Sequence, residues 1–163
     1  MNTFETSKTF VSHAAFVVFA ANRGRCPGDG SSLEGGGVSS EGPSAVRAYF
    51  GRMRGSWPVA IGDPKTPTPH GGFAILRKEV NPIYVSNKSG QRKELSGPTS
   101  PIGDRYLAFH RNGRGEFGIH GTPWPHWVKT RAAVSLGCVR MLNDHVRQLF
   151  DLVDVGTSLE IRG

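Results

Sequence analysis

The stretch RYLAFHRNGRGEFGIH, residues 105–120, sets two strand-like runs, RYLAFH and EFGIH, on either side of RNGRG. Asn112-Gly113 inside that link is the strongest short signal for a β-hairpin, because a tight turn needs positive φ and these two residues accept it. On the N-terminal side, GGFAIL (71–76) reads as a strand behind the breaker-rich DPKTPTPH (63–70). Further back, AVRAYF (45–50) and SWPVAIG (56–62) are β-favouring runs around the turn-like GRMRG, a second hairpin. On the C-terminal side one helix is expected. Asn143 is placed as its N-cap with Asp144 in the first turn, and Val146, Leu149, Phe150 and Val153 follow at i, i+3, i+4 and i+7. Gly156 is read as its stop, and TSLEIR (157–162) as a closing strand. The expectation is a mainly β, mostly antiparallel domain with one clear helix near the C-terminal end. The 22 glycines and 11 prolines of the chain agree with a turn-rich globule.

At 163 residues the chain fits one domain with a substantial core. Residues 1–43 differ from the rest. TFVSHAAFVVFAA (9–21) is a short apolar run after Lys8, and VFAAN resembles a small-residue cleavage site, the pattern of a secretory leader. Glu5, His13 and the thin basic charge count against it. CPGDGSSLEGGGVSSEGPS (26–44) reads as flexible linker. The division is therefore a leader-like segment and linker over 1–43 and a folded domain over 44–163. No apolar run is long enough for a membrane-spanning helix. Of the net charge of +7, residues 1–43 hold −1, so the remainder holds +8. Such a domain suits nucleic acid, an anionic membrane or an anionic polymer such as a cell wall, or is simply kept soluble by its charge. No dense basic run interleaves with aromatics, so charge is the only support for nucleic acid, which is not expected as a partner. The cysteines, Cys26 and Cys138, form no disulfide framework and are read as free thiols.

Cys138 lies in AAVSLGCVRML (132–142). A thiol attacks as thiolate, and an unperturbed pKa near ~8.5 leaves little of it at neutral pH, so a neighbouring imidazole is needed to take the proton. His120 ends the EFGIH run 18 positions earlier, where the chain leaves its sheet. Gly137 allows close approach of a carbonyl, and the backbone N–H groups of Gly137 and Cys138 are candidate oxyanion donors. On spacing alone, one such cysteine and six histidines give many accidental pairs, and buried cysteines are commonly structural. His120, His126, Cys138 and His145 can be written as a zinc set, but their spacing matches no ligand pattern and there is no CxxC, so no metal and no cofactor is expected.

The combination GIHGTPWPHW…AAVSLGCVRM resembles the active-site signature of the L,D-transpeptidase catalytic domain (YkuD type). His120-Gly121 stands where that family has its His-Gly. Ser135-Leu136-Gly137-Cys138-Val139-Arg140 stands where it has Ser/Thr-x-Gly-Cys-hydrophobic-Arg. The TPTPHGGF segment, NPIY, SPIGDRYLAF and GTSLEI are also similar, so the resemblance covers about Ser44 to Arg162. Leu136 departs from the histidine many members carry, and Pro69-His70 lengthens the first of these segments.

The resemblance implies a β-sandwich of mixed sheets and a cysteine acyltransferase acting on peptidoglycan. Cys138, activated by His120, would attack a stem tetrapeptide, release D-alanine and pass the acyl group to the amine of a second stem or of a lipoprotein. The location is then the cell envelope. Arg140 is expected to hold a substrate carboxylate or brace the loop, and Ser135 to orient His120 or brace the loop. Gly121 and Thr122 are supporting positions. Trp124 and Trp127 are expected to form a lid over the stem peptide that excludes water. The alternatives are an L,D-carboxypeptidase-type hydrolase and a catalytically idle wall-binding protein.

Overall fold

A computed structural model describes residues 16–20, 45–49, 53–86 and 90–162 of the chain. Strand β1 is Phe16–Ala20, β2 Ala45–Tyr49, β3 Met53–Pro58, β4 Ile61–Gly62, β5 Gly71–Ala74, β6 Arg77–Val80, β7 Tyr84–Ser86 and β8 Lys93–Leu95. After them come β9 Arg105–Asn112, β10 Gly115–His120, helix α1 Pro125–Lys129, β11 Ala133–Ser135, β12 Val139–Arg140, helix α2 Asn143–Leu152 and β13 Ser158–Arg162.

Two sheets carry the architecture. One has the order β3-β2-β1-β13-β5 and the other β12-β10-β9-β6. Both are mixed: β1 runs parallel to β2, and β10 parallel to β12, among otherwise antiparallel neighbours. Inward side chains from both sheets, with one face of α2, make a single core that includes Val46, Trp57, Phe109, Ile119, Leu149 and Ile161. The protein is thus mainly β, as its strand-like runs imply. The expected hairpin β2–β3 and the closing strand β13 are both present.

Four local features add to or differ from the expectations. First, Phe16–Ala20, inside the segment read as leader, is a strand between β2 and β13, ahead of the boundary placed at Ser44. A run of Phe, Val and Ala serves equally as the apolar stretch of a leader or as a central strand, so sequence pattern alone does not separate the two. Cys26 and the linker around it lie outside the described residues. Second, the β9–β10 turn is Gly113-Arg114, one residue beyond Asn112-Gly113, with Asn112 Oδ1 accepting the Arg114 N–H at 2.9 Å. Third, Leu142 is the N-cap of α2 and offers no side-chain cap. Asn143 is already helical, and its side-chain amide donates to the Pro98 carbonyl at 3.0 Å instead. Fourth, α2 ends at Leu152 as Val153 turns extended, three residues before the left-handed Gly156 is reached (φ +88°). Gly156 serves the turn into β13 and donates its N–H to Ile75.

Candidate active site

The second sheet brings the candidate pair together. β10 and β12 are parallel neighbours with Ile119 opposite Val139 and His120 opposite Arg140. Cys138 immediately precedes β12 and so enters the sheet beside Gly118, one strand away from the histidine. The 17 intervening residues form α1, β11 and the loop that returns the chain to the same edge.

His120 is 3% exposed. Its Nδ1 lies 2.6 Å from the Gly121 carbonyl. A carbonyl only accepts, so Nδ1 must carry the proton and Nε2 keeps its lone pair. Burial lowers the imidazole pKa to about 4, opposed by the Gly121 hydrogen bond and helped by the Arg140 cation. At neutral pH this histidine is an uncharged base. Burial also pushes the Cys138 thiol above its ordinary value, while the Gly118 backbone, the Arg140 cation and the Tyr106 phenol favour the thiolate and Glu116 opposes it. The resting pair is therefore thiol and imidazole, both neutral, with proton transfer left to the moment of attack.

The loop between β11 and β12 is held by Ser135. Its hydroxyl donates to the Cys138 carbonyl at 2.5 Å and accepts the Gly137 N–H at 3.1 Å. The Ser135 carbonyl in turn accepts from the Asp63 N–H and the Thr66 hydroxyl. Two expectations change here. Ser135 braces the loop and has no hydrogen bond to His120. The Gly137 N–H is committed to Ser135 and is not free to serve as an oxyanion donor. Gly137 has φ +114°, and a Cβ there would stand 2.5 Å from the Phe117 ring. Glycine is required for packing and backbone alike. Leu136, beside it, is 82% exposed.

Arg140 exchanges both backbone hydrogen bonds with Ala60 and lays its guanidinium over the Trp127 ring at 4.7 Å. Its Nε and Nη1 are buried without a hydrogen-bond partner. Trp127 packs on Trp124 at 4.9 Å. The segment that carries the two tryptophans forms a short helix, α1, with Trp124 at its N-cap position and Pro125 in its first turn, a helix start that proline favours. Trp124 is exposed and donates its N–H to the buried Thr122 hydroxyl at 3.3 Å. Gly121 packs against Gly103 and the Asn143 side chain, where a Cβ would collide with Asn143 Oδ1. Among the described residues no group of three or more His, Cys, Asp or Glu is placed to hold a metal ion. His145 is half-buried on α2, its Nδ1 unpartnered.

Sequence reading missed the wall of the site. A cavity of about 290 Å³ is lined by Arg77, Glu79, Tyr84, Tyr106, Glu116 and Cys138, among others. Arg77 bridges Glu79 and Glu116, the latter at 2.6 Å. Tyr106 stacks on His120, with ring centroids 6.0 Å apart and planes 10° from parallel. One signal was present: an isolated glycine inside a strand, Gly118 in EFGIH, marks close approach of another group. That group is the Tyr106 ring.

Residues 44–161 match the family described as the L,D-transpeptidase catalytic domain. A Bacillus subtilis protein, YqjB, which carries the L,D-transpeptidase name, is 36% identical over 114 residues, 68% of this chain and 60% of that protein. L,D-transpeptidase 1 of Mycobacterium tuberculosis is 28% identical over 113 residues, 69% of this chain and 44% of that protein. Among solved structures, an L,D-transpeptidase from Mycobacterium smegmatis superposes with a TM-score of 0.51 at 25% identity, covering 66% of this chain and 48% of that one. The chain thus spans roughly half the length of these relatives.

Proposed function

This chain belongs to the L,D-transpeptidase catalytic domain family, and from that premise we propose that it is a cysteine acyltransferase acting on peptidoglycan stem peptides. The observation that carries the proposal is the neutral imidazole of His120, its tautomer fixed by Gly121, on the strand beside the one that Cys138 opens. His120 Nε2 takes the thiol proton as Cys138 Sγ attacks the carbonyl that precedes the terminal D-alanine. The Cys138 N–H faces the developing oxyanion. Collapse returns the proton from His120 to the D-alanine amine, which leaves, and a thioester remains. An acceptor amine then attacks the thioester, gives its proton to His120 and releases the thiolate, which regains a proton. The acceptor is the side-chain amine of a second stem, giving a 3→3 cross-link, or an amine of an envelope protein.

Arg140 supports this reading, because its two unpartnered guanidinium donors suit a substrate carboxylate while Trp127 holds its plane. Trp124, exposed and packed on Trp127, is on this reading part of a cover that favours an amine over water. The substrate places the enzyme outside the cytoplasmic membrane, and no helix among the described residues is long and apolar enough to cross one. The test is to incubate the protein with a diamino-acid tetrapeptide muropeptide and separate the products by mass. A cross-linked dimer lacking one D-alanine is expected. Tripeptide alone would make the protein a carboxypeptidase that resolves the same thioester with water.

A further inference from the structure

We propose that Tyr106 is a further catalytic residue, whose phenol donates a hydrogen bond to the Cys138 thiolate while its ring, stacked on His120, holds the imidazole in place. The inference rests on Cys138 being the attacking group but not on the identity of the acyl donor.

Three features of the structure converge on this residue. In the β9–β10 ladder Tyr106 is the partner of His120, and the two rings lie nearly parallel. Two residues back along β10, Gly118 has no side chain, and a Cβ there would stand 2.7 Å from the Tyr106 hydroxyl. Gly118 is also the position beside which Cys138 enters. The missing side chain is the opening through which the phenol reaches the sulfur. Both residues line the same cavity, so the hydroxyl sits where the thiolate forms rather than in the core.

The charges around the pair define what the phenol can do. Glu116 and His120 face it from β10, Arg140 from β12, and Arg77 and Glu79 from β6, with the Arg77 guanidinium 6.0 Å from the Tyr106 ring centroid. Burial first, and then the nearby Cys138 and Glu116, hold the phenol far above its usual titration range, so it remains a donor at every pH the enzyme meets. It has one proton and two acceptors within its surroundings. At rest the Glu116 carboxylate is the only anion of the two. Once His120 removes the thiol proton, the sulfur becomes the second, and the hydroxyl turns to it. No bond to the phenolic proton breaks; the phenol stabilises an anion that His120 generates.

The experiment follows alkylation of Cys138 by iodoacetamide between pH 7 and 10, read by mass on the Cys138 peptide so that Cys26 does not contribute. Tyr106→Phe keeps the ring and removes the donor. A hydrogen bond to an anion is worth about one pK unit here, so the profile is expected to move up by about one pH unit. At pH 8 the rate should fall by about three- to tenfold, the smaller figure applying if the more basic sulfur is also more nucleophilic. Gly118→Ala, which displaces the hydroxyl without removing it, should move the profile the same way. A melting midpoint for each variant within a few degrees of wild type separates the effect from unfolding. An unchanged profile in both folded variants overturns the proposal. A shifted profile in a protein that never acts on muropeptides supports Tyr106 and counts against the acyl-transfer reading alone.

Discussion

Replacing Cys138 with alanine is expected to abolish D-alanine release, a loss of about four orders of magnitude or more, while leaving the fold intact. Without sulfur there is no thioester. A catalytic unit deprived of its nucleophile keeps only what binding and oxyanion donors contribute, so its losses are large and do not add with those of its base. The fold should survive because the sulfur is half-buried and donates only weakly to the Glu116 carbonyl, at 4.0 Å. The loop is held by Ser135 through backbone atoms of Gly137 and Cys138, which alanine retains. Turnover of the tetrapeptide and a thermal melt on the same preparation check both halves. A variant that still released D-alanine at a comparable rate would remove Cys138 from the mechanism.

Acidification should destabilise the domain through His120 by about 3 kcal/mol between pH 6.5 and pH 4. Burial holds the folded imidazole at about 4, against 6.5 for a free histidine side chain. Below 6.5 the unfolded chain takes up a proton that the buried ring refuses. The contribution is therefore fully present above pH 6.5, falls as the pH drops through that window and levels off below about 4, where both states are protonated. Urea unfolding at pH 7 and pH 4, for wild type and for His120→Asn, isolates this histidine from carboxylates that titrate in the same range. The wild type is expected to lose about 3 kcal/mol more than the variant. Equal losses would mean that the imidazole is not held neutral by burial. The same titration sets the acid limb of activity, with kcat/KM falling as the pH drops through about 4.

The chemistry of this protein is easier to read in its sequence than the wall around it. His120, Gly137 and Cys138 stand in ordered blocks, and the hairpin that ends in His120 is announced by its turn residues. Other features depend on information that no local window holds. Tyr106 meets His120 because of a strand register that is shifted by a bulge between Phe117 and Gly118. Ser135 takes the Gly137 N–H because the loop closes on itself, and that removes a donor the motif suggests. Arg77, Glu79 and Glu116 come from β6 and β10, which do not pair with each other but flank β9. Apolar patterning also describes Phe16–Ala20 equally well as a leader or a strand, and its pairing with β13 lies outside any local window.

The most direct test of the account is the intact mass of the protein seconds after mixing with a tetrapeptide muropeptide. The account predicts an adduct equal to the donor less one D-alanine, located on the Cys138 peptide, labile to hydroxylamine and missing from Cys138→Ala. Release of D-alanine with no such adduct, or an adduct that persists when Cys138 is replaced, would contradict it.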